Sequence, residues 1–191
     1  LVHSIYSGGA WVLLQDDPNP FEYVQFNNNA PIPIWEEGII YYDTINHSLT
    51  VYDDIDGTSL QIGQEQRVRV FNSNGVPITD GAAVTVTGVT ADNILEVELA
   101  IASDRTSAIN TIGIATHEIG VGEYGWATTS GNVNEINTSA YTEGAAIYLS
   151  ETVAGEYQET RPKSPSYEVR MGGVAKTHAT TGKIYAEIRI I

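Results

Sequence analysis

Residues 122–150 read GEYGWATTSGNVNEINTSAYTEGAAIYLS, and that stretch leaves few folds open. Apolar and polar residues alternate in short bursts, and each burst is broken by Gly, Asn, Ser or Thr. No stripe at helical spacing runs through it, whereas period-two alternation between turn residues is what a half-buried strand requires. The rest of the chain has the same texture, so the sequence predicts an all-β protein. It also lacks the convergent ionisable residues that most enzymes need, which points to binding or assembly rather than catalysis.

From residue 65 onward the alternation is dense. QRVRVFN at 66–72 sets Val68 and Val70 on one side and Arg67, Arg69 and Phe71 on the other. Asn74-Gly75 is a hairpin turn signal. Further strands are expected at 82–88, 96–102, 112–117, 125–129, 145–149, 169–176 and 183–191, and residues 103–110 have room for a helical turn. Strands spaced by about 10–14 residues with turn residues between them predict a compact β-sandwich or small β-barrel over 65–191.

Residues 1–64 differ. Asp16-Asp17-Pro18-Asn19-Pro20 and the Asn27 to Pro33 run break the chain. Between and after them lie very short strands at 23–26, 38–42, 49–52 and 59–62. About 60 residues is marginal for a self-sufficient core. The segment is therefore expected to be extended, made of short strands and hairpins, and packed against other copies of the chain. Ile39, Tyr41, Leu49, Val51 and Leu60 are the expected intersubunit core. The first residue is Leu, and the opening residues have neither a basic region nor a small-residue cleavage site. They read as an internal segment exposed by truncation or processing.

The net charge is −15, from 9 basic and 24 acidic residues. Phosphate binding needs a basic surface, so a nucleic-acid partner is not expected. There is no cysteine, which excludes disulfides, thiolate metal sites and cysteine nucleophiles. No apolar run is long enough to span a bilayer, so membrane insertion is not expected. Thr116-His117-Glu118 lacks the second histidine of a metalloprotease helix, because position 121 is Val. Asp54-Ile55-Asp56-Gly57 has some Ca²⁺-loop character. With Asp54 as position one, Glu65 falls at position twelve, but Gly57 stands at position four rather than six. A turn between strands is the expected role, with a weak cation site near Asp54 and Asp56 as the alternative. No nucleophile elbow or phosphate loop is present, and neither a cofactor nor a catalytic residue is expected. Trp11, Trp35, Trp126 and eleven Tyr fit intersubunit cores, or sugar-stacking surfaces such as Tyr124 and Trp126.

Residues 38–191 resemble a family of bacteriophage virion proteins found in tail-fibre and head-fibre chains. The likeness rests on GIIYYD at 38–43, LTVY at 49–52, LQIGQE at 60–65, VRVFN at 68–72, IGIATH at 112–117, GWATTSG at 125–131, EGAAIYLS at 143–150 and VRMGGV at 169–174, in that order. The cadence is also similar to that of phage capsid decoration proteins. The resemblance implies a homotrimeric virion structural protein, made in the host cytoplasm. It would serve assembly with other virion proteins and attachment to a host-surface glycan or protein. A capsid decoration protein and a carbohydrate-binding or depolymerising module are the alternatives.

Overall fold

The structure, a computed structural model, describes residues 3–7, 10–14 and 25–191. The chain divides into two units, Leu1–Ala30 and Pro31–Ile191. In the first, β1 (His3–Ser7) pairs antiparallel with β2 (Ala10–Leu14), from His3 opposite Leu14 to Ser7 opposite Ala10. Residues 23 and 24 of the strand expected at 23–26 lie outside the described residues, and Gln25 and Phe26 are not in a strand.

The second unit begins with an antiparallel meander of β3 (Ile40–Asp43), β4 (Ser48–Tyr52) and β5 (Ser59–Gln61). Its turns are set by aspartates. Asp43 accepts from the backbone N–H groups of Ile45 and Asn46 at 2.8 and 3.1 Å. Asp53 accepts from the N–H of Ile55 at 3.1 Å and from the Thr58 hydroxyl. These Asx-type turns hold the chain reversals. The unit takes in this sheet, which the sequence reading assigned to the lead segment.

A closed five-stranded barrel follows. β6 (Glu65–Asn72), β7 (Ala83–Val89), β8 (Leu95–Leu99), β9 (Thr111–Ala115) and β10 (Tyr124–Ile136) pair in the ring order β10-β6-β8-β7-β9, and β9 returns to β10. Only β6 and β8 are parallel among these pairs. The alternation at 66–72 is realised as read: Val70 is fully buried inside with Val84, Val97, Ala115 and Ala127, and Val68 packs against them. Between β8 and β9, α1 (Arg105–Ile109) forms the expected helical turn, capped by the Asp104 carboxylate accepting from the Ser107 N–H at 2.7 Å.

β10 is far longer than the strand expected at 125–129, because a bulge lets it serve two structures. Its first half closes the barrel, with a register shift against β6 between Thr128 and Ser130. Its second half pairs with β14 (Gly182–Ile190), and the sheet continues through β13 (Val169–Lys176) and β11 (Ala146–Leu149) to β12 (Tyr157–Gln158). Gly131 sits at the bend with φ +99°. Ile147, Leu149, Met171 and Ile184 from this annex form a second core with Ile114 and Val133 of the barrel. The all-β expectation thus resolves into a small barrel extended by four strands.

Candidate functional site

The small sheet is built the wrong way round for a globular domain. Tyr41 lies opposite Thr50, and Thr50 opposite Gln61; Asp43 lies opposite Ser48. That face is polar, and Asp43, Ser48, Thr50 and Gln61 on it are buried. The other face aligns Ile40, Val51 and Leu60 in one row and Tyr42 with Leu49 in the next. It is apolar, yet Ile40 remains 52% exposed and Ile62, just beyond β5, 47%.

This register divides the expected intersubunit set. Leu49, Val51 and Leu60 share the apolar outer face with Ile40 and Tyr42. Tyr41 lies on the polar face, where burial and its hydrogen bond to Tyr52 raise the hydroxyl's pKa, and Ile39 precedes the strand on that same parity. Side chains two apart share a face, and the pairing fixes which two.

Beneath the polar face lies a buried ion cluster. Arg67 donates through Nη1 to Asp53 at 3.1 Å and through Nη2 to both Glu65 oxygens at 3.2 Å. Glu65 also accepts from the Gln61 N–H at 2.8 Å. The Glu65 side chain is 1% exposed and that of Arg67 10%. Burial pushes the Glu65 carboxyl up, against the opposing pull of the guanidinium.

Around this cluster opens a cleft of about 660 Å³, lined by both the small sheet and the barrel wall. Tyr41, Ser59 and Gln61 line it from the sheet; Glu65, Arg67, His117 and Thr128 line it from the barrel. His117 shares its Nδ1 with the Thr116 hydroxyl at 3.1 Å, and burial lowers its pKa, which favours the neutral imidazole. Among the described residues six buried side-chain polar atoms lack a hydrogen-bond partner in the protein. Four belong to this lining: Gln61 Oε1, Arg67 Nε, His117 Nε2 and Thr128 Oγ1. Each such atom costs about 1–3 kcal/mol unless something satisfies it.

Asp80 and Glu135 also line the cleft. Glu135 is the residue at the register shift of β10 against β14, with φ +61°. The protein packed around it, and then the Glu135 charge, push the Asp80 carboxyl from 3.8 up to about 6, although the residue keeps more than a third of its surface exposed. The folded chain therefore holds that proton where the unfolded chain has lost it, and stability falls as pH rises from about 4 to 6. Asp80→Asn is expected to stabilise the protein at pH 7 by about 1 kcal/mol, a value reduced for solvent screening because the residue is partly exposed. The gain should vanish below pH 4, as read by urea denaturation at the two pH values.

Tyr124 and Trp126, the expected surface aromatics, form a brace instead of an open platform. The Trp126 indole N–H donates to Asp54 at 2.8 Å, and Asp54 pairs with Arg69. The Arg69 guanidinium sits 5.1 Å from the Trp126 ring and 5.6 Å from that of Tyr124. Tyr124 packs on Phe71 at 5.1 Å and keeps 38% of its surface exposed. Together these contacts clamp the 53–58 turn onto β6 and β10. Asp54 is thereby committed to a guanidinium, which holds its carboxyl below the usual range even though burial alone would raise it. Among the described residues no group of three or more His, Asp or Glu side chains converges to hold a metal ion. Trp126→Phe removes the hydrogen bond to Asp54 and is expected to cost about 1–2 kcal/mol by thermal melting.

The sequence singled out His117, but only as the histidine of an incomplete metalloprotease pattern. Glu65, Arg67, Gln61 and Thr128 gave no motif, because segments far apart in the chain bring them together. Beyond the pieces that carry the fibre resemblance, their traces were the outward parity of Arg67 in 66–72 and the place of Glu65 at position twelve of the Ca²⁺-loop reading. Compared with known proteins, the chain matches no family model and has no significant similarity to any curated sequence.

Proposed function

We propose that this chain is a structural component of a bacteriophage virion, a tail-fibre-type module that assembles with copies of itself and serves attachment to the host surface. The observation that carries the reading is the inverted small sheet. Its polar side covers an ion cluster, and on its opposite, apolar side Ile40 and Ile62 are exposed while Tyr42, Leu49, Val51 and Leu60 are half-buried. An exposed apolar sheet face is a liability in a solitary domain and an asset in an assembly. Closing that face between copies would bury aliphatic area worth about 25 cal/mol per Å². The resemblance to fibre proteins supplies the copy number of three, and a closed three-fold arrangement leaves no copy of the face uncovered.

A Leu49→Glu, Val51→Glu double variant places two charges on the shared face. It is expected to remain folded by circular dichroism but to lose self-association on size-exclusion chromatography. The virion role itself is tested by immunogold labelling of particles made with the gene intact or deleted. Gold on fibres supports the proposal. Gold on the shell transfers the chain to the decoration role, and particles complete and infective without the gene would rule out both.

A further inference from the structure

We propose that the cleft between the small sheet and the barrel binds a neutral saccharide unit. Its volume of about 660 Å³ lies in the range of small-molecule sites. Its unpartnered groups are of mixed type. Gln61 Oε1 can only accept, Arg67 Nε can only donate, and Thr128 Oγ1 and His117 Nε2 can do either. Hydroxyl groups on adjacent carbons supply both donors and acceptors at short spacing, and no single-sign ion does.

The charges agree. The lining carries five carboxylates, Asp43, Asp56, Glu65, Asp80 and Glu135, against Arg67, Lys176 and Lys183. Arg67 is already committed to Glu65 and Asp53, so the cleft offers little to an anion. Glu65 and Asp43 are likewise engaged within the protein, and Asp56, Asp80 and Glu135 are the carboxylates suited to accept from sugar hydroxyls, as in charge-assisted hydrogen bonds. The unpartnered atoms of Gln61, His117 and Thr128 are themselves buried, so these three side chains must turn to present them to the ligand, while Arg67 stays held by Glu65 and Asp53. The site lies within one chain and does not depend on the assembly role. A monomer that binds saccharide leaves it standing, and a trimer that binds none removes it.

The test is saturation-transfer NMR on the full chain with glucose, galactose, N-acetylglucosamine and short neutral oligosaccharides at millimolar concentration. Inorganic phosphate and spermidine serve as competitors. At least one neutral sugar should show transfer, unaffected by phosphate or spermidine. Thr128→Val keeps the side-chain shape and removes the hydroxyl. It should weaken binding about tenfold, equivalent to one lost hydrogen bond, while leaving the melting temperature unchanged or higher. Gln61→Leu serves as the second variant, read the same way. The proposal is overturned if no neutral sugar shows transfer, if spermidine displaces the signal, or if both variants bind like the parent. A crystal soaked in the sugar that shows only ordered water on these four atoms would also overturn it.

Discussion

Replacing Arg67 by Met is expected to destabilise the protein by about 3–5 kcal/mol at pH 7, the largest effect of any single side chain in the cleft. The one guanidinium pairs with both Glu65 and Asp53. Removing it leaves two carboxylates with little access to water, and the Glu65 side chain has almost none. Protonation of Glu65 then becomes the cheapest repair, so its folded-state pKa rises further in the variant. A carboxyl whose folded pKa exceeds its unfolded one gains stability as pH falls toward the unfolded value. The variant should therefore recover part of the loss between pH 7 and pH 5. Adding Glu65→Gln should recover part of it at pH 7. Urea denaturation of the two variants and the parent at both pH values gives the whole pattern. A loss independent of pH and of Glu65 would mean that Arg67 acts through packing alone.

Gly131→Ala is expected to cost at least about 3 kcal/mol, a large share of the stability of an ordinary domain. Its φ of +99° is disfavoured for any residue with a Cβ. A Cβ built there would stand 2.1 Å from the Gln64 carbonyl oxygen and 2.6 Å from the Glu65 Cα, both backbone atoms that cannot swing aside. The bend of β10 from barrel to annex depends on this close approach. Gly122→Ala is the matched control: its φ is +73°, and nothing lies within 4 Å of the added carbon. It should cost only about 1–2 kcal/mol, the backbone penalty by itself. Soluble yield and thermal melting of the two variants separate contact from conformation.

Much of the fold was legible because β-structure is written in parity. QRVRVFN at 66–72 told which side chains enter the barrel and which stay outside, and Val70 and Arg69 lie where that parity puts them. The aspartate and glycine turns of the small sheet were legible for the same local reason. The length of β10 was not, since Ser130, Gly131 and Asn132 look like a turn. Only the neighbouring strands convert them into a bulge within a continuous strand. Nor was the side on which Tyr41 lies. Residues 44–47 set the pairing of β3 with β4, and a shift of one residue would have placed Tyr41 among the apolar set. The cleft was the least visible feature. Its lining spans Ile32 to Lys183, and no local pattern brings such residues together.

Sedimentation velocity of the full chain at micromolar concentration tests the central claim, that the outward apolar face of the small sheet is completed by sister copies. The expected result is a species of three times the 20.7 kDa chain mass, which dissociates on dilution. A single sharp boundary at the mass of one chain, unchanged across a hundredfold range of concentration, would contradict it.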